Sequence, residues 1–251
     1  MSLVLNGLHK SFGGNRVIDD VTLEVEDHKV TSLVGPNGAG KTTLFNIITG
    51  FVAVDQGTIS FAGRSLDGLA PQAVKQRGLV RTFQNLRLFL NMSVHENVLV
   101  AIEGDVAVNF WSKRNLPPVE KVLRRVGLWE QREKPAGELS YAEKKFLSLA
   151  RVLVTAAPCL LLDEPASGLD GPSLALFHEL IREFKNGGGT VLLIEHNLDI
   201  VRGVSDHIVF LDKGRIAASG TPEEIFSNPV LGELYFGVRV SAQQAAEHAA
   251  R

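Results

Sequence analysis

The chain has 251 residues, 45% apolar and 22% charged, with a formal net charge of −2 and one cysteine. That length suits one large domain, or a core with a lobe, around an ample packed core. The near-neutral balance excludes a nucleic-acid binder of the basic-patch kind, and a single cysteine excludes an internal disulfide.

From the start, "MSLVLNGLHK" has no basic segment followed by a long apolar one, so no signal peptide is expected. "KVTSLVG" (29–35) is a short apolar run ending in glycine, and "KTTLFNIITG" (41–50) is a helical pattern closed by Gly50. Between them "GPNGAGKT" (35–42) matches G-x-x-x-x-G-K-[ST] in the strand–loop–helix setting the motif needs. Gly35, Gly38 and Gly40 free the backbone to turn its N–H groups inward, with Pro36, Asn37 and Ala39 between them and Thr43 on the first helical turn. Lys41 is placed to reach β- and γ-phosphates, and Thr42 to put its hydroxyl on Mg²⁺.

"TISFAG" (58–63) alternates like a half-buried strand, and "GLVRTFQ" (78–84) is another strand candidate. Residues 85–156 hold helical patterns and no convincing strand, and form a helical lobe inserted between strands. Its patterns are "SVHENVLVAIEG", "PPVEKVLRRVGLW" and "ELSYAEKKFLSLARVL", with "GDVAVNFWSKRNLPP" as a loop. In the third, Ser140 and Glu143 have the spacing of a capping box, and Phe146, Leu149, Ala150 and Leu153 make an apolar face. Whether that helix start only caps itself or also aims at a phosphate stays open on the residues alone.

"VLVTAAPCLLL" is too short to span a bilayer, and Cys159 within it is expected as a buried small hydrophobe. "PCLLLDEP" (158–165) is a fully buried strand candidate ending in two acids, where open α/β sheets bind ligands. Asp163 is placed to hold Mg²⁺ through water and Glu164 to polarise an attacking water; a solvated turn is the plain alternative. "DGPSLALFHELIREFKNGGG" is a helix with Asp170 as N-cap and Pro172 in its first turn. "GGGTVLLIEH" (187–196) and "DHIVFLDKGRIAASG" (206–220) add two or three strands, and "GTPEEI" has its own cap in Thr221, Pro222 and Glu224. "SAQQAAEHAAR" at the end is expected to fray. Strands alternating with helices imply a parallel sheet covered on both faces.

These residues together resemble the ATP-binding-cassette ATPases, the nucleotide-binding subunits of ABC transporters, over roughly residues 3–237. The resemblance implies an α/β P-loop NTPase fold with a mostly parallel core sheet, an N-terminal antiparallel β subdomain and an inserted helical subdomain. One ABC ATPase domain would span 1–237, its core 1–84 and 157–237, its helical part 85–156, with a tail at 238–251. It further implies that Gln84 in "RTFQN" contacts Mg²⁺ and the attacking water, that "SGLD" (167–170) is the D-loop, and that His196 contacts the γ-phosphate. Phe12 sits where the family stacks an aromatic ring on adenine, with a core position as the plain alternative. "LSYAE" aligns with the family signature LSGGQ, so Ser140, Tyr141, Ala142 and Asp170 would meet an ATP held by a second ATPase subunit, identical or different. Tyr141, Ala142 and Glu143 depart from that signature. A methyl group at 142 is unfavourable if the position needs a left-handed backbone or a very close approach of phosphate, and harmless if it is already helical.

"RTFQNLRLF", "SVHENVLVA" and "GTPEEIFSNPVLGELYFG" are similar to the ATPases of branched-chain amino-acid importers. The implied function is hydrolysis of ATP with Mg²⁺ to energise a membrane permease fed by a separate binding protein, on the inner face of the cell membrane. Alternatives are a lipid or polysaccharide exporter subunit, or a nucleotide-binding regulator of weak turnover. Leu86, Leu88, Phe89 and Leu90, within 84–92, are the candidate permease-facing surface, or else lobe packing.

Overall fold

The structure, a computed structural model, describes residues 1–102 and 116–228. Most of the loop expected at 104–118 and all of the terminal tail lie outside the described residues. In chain order the elements are β1 (Leu3–Phe12), β2 (Asn15–Val25), β3 (Val30–Val34), α1 (Lys41–Ile48), β4 (Gln56–Phe61), β5 (Arg64–Ser65), α2 (Pro71–Gln76) and β6 (Leu79–Arg81). Then come α3 (Val94–Ile102), α4 (Leu116–Arg125), α5 (Tyr141–Leu153), β7 (Cys159–Asp163), α6 (Gly171–Asn186), β8 (Thr190–Ile194), α7 (Leu198–Val204), β9 (His207–Asp212), β10 (Arg215–Gly220) and α8 (Pro222–Ser227).

The strands form two sheets. One is antiparallel, in the order β2-β1-β4-β5; the other has the order β10-β9-β3-β8-β7-β6. In the second, β9, β3, β8, β7 and β6 run parallel and β10 adds an antiparallel edge. All five residues of each of β3, β7 and β8 are buried, as parallel strands covered on both faces require. The pleat divides them. Leu160, Leu162, Val191 and Leu193 join the core under the helices, with Phe146, Leu149, Phe177 and Ile181. Cys159, Leu161, Leu33 and Leu192 face α1 and the antiparallel sheet. Burial pushes the Cys159 thiol up to about 12, so it behaves as the expected small hydrophobe.

Some local detail departs from the expected pattern. The run at 78–84 is in strand conformation only over Leu79–Arg81, because the chain then turns out toward Gln84. β1 and β2 alternate cleanly only at their far ends, as at Val21–Val25, since their register shifts between Leu5 and Leu8 and twice more near the hairpin. Helices α2 and α7 have 6 and 7 residues, too few for a 3.6-residue period to show. Residues 85–102 and 116–156 contain α3, α4 and α5, and no named strand.

Candidate active site

Four neighbouring strands, β3, β8, β7 and β6, end at one edge of the parallel sheet and carry the phosphate loop, His196, Asp163 with Glu164, and Gln84. The loop after β3 is shaped by glycine. Gly40 has φ 106 and serves as the N-cap of α1, with no side chain capping the helix. A Cβ there would lie 2.8 Å from the Val17 carbonyl oxygen, and one at Gly35 only 2.0 Å from that of Leu211. The loop is therefore pressed against the protein behind it and presents backbone, not side chains, forwards. Lys41 is buried, and its Nζ donates to the carbonyls of Gly35 at 2.7 Å and Pro36 at 2.9 Å. Burial lowers its pKa, against the opposing pull of Glu164 and Asp163. Thr42 is exposed and Thr43 half-buried on the first turn of α1; Asn37 and Gly38 are exposed, Ala39 buried and Pro36 half-buried.

Asp163 ends β7, 3% exposed, with its amide donating to Thr82 Oγ1 at 3.0 Å. Burial raises its pKa, while Arg81 opposes the rise. Arg81 was not among the expected site residues. Its guanidinium donates to Asp163 Oδ2 at 3.2 Å, to Asn46 Oδ1 at 2.7 Å and to Thr49 Oγ1 at 3.1 Å, so it joins the carboxylate to α1. Only a charge set inside an apolar strand, in "GLVRTF", hinted at it. Arg81 leaves Oδ1 of Asp163 unengaged by this ion pair.

Glu164 follows with φ 47, a left-handed conformation for a residue with a side chain. Gln84 Nε2 donates to its Oε2 at 3.2 Å, and His196 Nδ1 lies 3.7 Å from its Oε1. Gln84 and His196 are both exposed. Residues from the ends of β6, β7 and β8 thus meet at one carboxylate.

The start of α5 lies in the lobe. Ser140 is its N-cap: its Oγ accepts the Glu143 amide at 3.3 Å, and its own amide donates to Glu143 Oε2 at 2.7 Å. Gln131 also donates to Glu143, and these bonds hold that carboxyl below its ordinary pKa. Ala142 lies within α5 and is not left-handed, so its methyl group meets no conformational penalty. Tyr141 is 55% exposed, with its ring beside Gly168. Asp170 caps α6 through the Ser173 amide at 3.0 Å. Phe12 stands at the tip of the β1–β2 hairpin, 47% exposed with Lys10 Nζ 5.3 Å from its ring, so it is not a core residue. Leu88 packs against the core under the helices, while Phe89 and Leu90 are 44% and 54% exposed. Leu86 and Phe89 line a cleft of 520 Å³ with Phe51, Phe83, Arg87 and Arg151.

Among the described residues no group of three or more His, Cys, Asp or Glu side chains is arranged to hold a metal. A Mg²⁺ ion here would need phosphate oxygens and water besides Thr42 and Asp163, which is how nucleotide enzymes usually bind it.

A glycine-shaped phosphate loop beside an acid-tipped buried strand defines a P-loop nucleotide-binding protein of the α/β class. The sequence profile of the ABC transporter family matches residues 18–167, and the chain belongs to that family. It is 41% identical, over 94% of its length and 97% of the relative's, to the high-affinity branched-chain amino acid transport ATP-binding protein LivG of Salmonella typhimurium. With BraF of Pseudomonas aeruginosa, a protein of the same description, identity is 39% over the same shares. A nucleotide-free ATP-binding cassette from an ABC transporter superposes with a TM-score of 0.85 at 32% identity, over 94% of this chain and 99% of that one. A cassette solved in its ADP conformation matches equally well. The N-terminal antiparallel sheet and mostly parallel core agree with the fold expected from sequence. No described helix is long and apolar enough to cross a membrane.

Proposed function

We propose that this chain binds ATP with Mg²⁺ and hydrolyses it to drive a permease that imports branched-chain amino acids. The observation that carries the reading is the meeting of Gln84 and His196 on the Glu164 carboxylate, beside the phosphate loop. The Gly35–Gly40 backbone and the start of α1 hold the phosphates, Lys41 turns from its loop carbonyls to the β- and γ-phosphates, and Phe12 stacks on adenine. Thr42, Asp163 and Gln84 would hold Mg²⁺, which would supply charge neutralisation at the transferring phosphoryl group. Glu164 takes a proton from water as its oxygen attacks the γ-phosphorus and the bond to ADP breaks; Gln84 orients that water and His196 contacts the γ-phosphate.

A second ATPase subunit completes the site. Ser140, Tyr141, Ala142 and Asp170 of one subunit face the ATP of the other, using the start of α5 as an anion site. The 520 Å³ cleft beside Phe89 is where a permease segment would dock. The relatives' names favour amino-acid import over a lipid or polysaccharide exporter. Uptake of radiolabelled leucine by cells lacking this gene should return with the wild-type chain and not with Glu164→Gln. Equal uptake with both, or with neither, would count against this reading.

A further inference from the structure

The turn that carries Glu164 is gripped from two sides by buried ionisable side chains. Lys145, on the second turn of α5, is 5% exposed, and its Nζ donates to the Glu164 carbonyl. Glu195, just past the end of β8, is fully buried, and its Oε1 accepts the Ala166 amide at 2.9 Å. Its Oε2 has no hydrogen-bond partner among the described residues. The Glu164 amide donates to the Ile194 carbonyl at 2.9 Å, so the backbone is held at both the amide and the carbonyl of the residue and again at Ala166.

Two features make this more than ordinary core packing. Lysine and glutamate are seldom so buried, and charges taken out of water need a compensating use. The backbone they hold belongs to the one described acidic residue, besides Asp20, with a left-handed φ, a conformation that persists only where its surroundings over-determine it. Neither side chain touches Asp163's carboxylate or the phosphate loop through any hydrogen bond in the structure.

We propose that Lys145 and Glu195 are positioning residues for the general base. They hold the Glu164 turn left-handed, so that its carboxylate points at Gln84 and His196. Lys145 also ties that geometry to the N-terminal part of α5, which Ser140 caps. A shift of α5 when its N-terminus meets phosphate then reaches Glu164 of the same chain through one hydrogen bond. The proposal rests on the assignment of Glu164 as base.

The test uses the full chain with Lys145→Met, Lys145→Arg, Glu195→Leu and Glu195→Gln. Steady-state hydrolysis and amide hydrogen exchange over residues 162–168 are read for each. In Lys145→Met, kcat should fall by about 10²-fold, the cost of a small misplacement of a catalytic group, with KM nearly unchanged. Exchange should rise at this turn in Lys145→Met and Glu195→Leu. Lys145→Arg, which keeps a donor, should restore turnover, and Glu195→Gln, which keeps an acceptor, should retain protection. Wild-type exchange at the turn in both Lys145→Met and Glu195→Leu overturns the proposal, whatever turnover does. So does a rise spread evenly over the chain, which would make the pair a support of the whole fold. Absence of turnover in the wild type would fault the hydrolysis reading, and the exchange measurements would still decide the grip on the Glu164 turn.

Discussion

Helices α1 and α5 both begin at an exposed edge, and both are assigned a phosphate, yet their first turns are built in opposite ways. The start of α1 is capped by a left-handed glycine with no side chain on its amides, so those donors face outward unanswered. The start of α5 is already answered: Ser140 and Glu143 close a capping box, and Gln131 adds a third bond. An anion at α1 meets free donors, whereas an anion at α5 meets a carboxylate seated on the Ser140 amide. The difference suits a site that binds nucleotide tightly on one side and closes on it only transiently from the other.

Substitutions on each side can break or sharpen that contrast. The largest expected effect is at Arg81, which fastens α1 to Asp163. Arg81→Leu strands a buried carboxylate and should cost about 3–5 kcal/mol in chemical denaturation, with no such loss if the ion pair is incidental. Next is Gly40→Ala. A left-handed alanine costs about 1–2 kcal/mol, and its Cβ would press on the Val17 carbonyl, so ATP affinity should fall about tenfold or more by titration calorimetry. On the α5 side the corresponding change runs the other way. Ala142→Gly places glycine in a helix and should lower stability by about 1 kcal/mol in thermal denaturation while leaving ATP affinity intact. It should change turnover more than affinity if, as proposed, that residue meets ATP only across a closed dimer.

The smallest effect belongs to Glu143→Gln. Its folded pKa is lowered, so the ionised cap stabilises the protein fully above the ordinary carboxylate range and less as pH falls through the folded value. The variant should lose about 0.3–1 kcal/mol at neutral pH, a deficit that shrinks in acid. Turnover should rise modestly, since the charge opposing phosphate is gone. A pH-independent deficit would mean that the charge contributes nothing to the cap.

The same contrast explains what the sequence made legible. The phosphate loop requires backbone freedom, and Gly35, Gly38 and Gly40 state that requirement letter by letter. The buried strands, the acids after β7 and the caps at Ser140, Asp170 and Thr221 were equally plain, because each depends on a few adjacent residues. Arg81, Lys145 and Glu195 were not legible. Each acts on a residue from another part of the chain, and a charge beside an apolar run, or next to other charges as Lys145 is, looks the same whether it grips a turn or faces solvent. The exposure of Phe12 and the division of 84–92 between lobe and cleft also depended on how distant elements pack.

The central claim is that the Glu164 carboxylate takes the proton in ATP hydrolysis. Phosphate release by the purified full chain, alone and with its permease, measured against Glu164→Gln tests it most directly. The account predicts that the variant binds ATP as tightly as the wild type and loses turnover by about 10²–10⁴-fold, the usual contribution of a general base. Equal rates of phosphate release from the two proteins would contradict it.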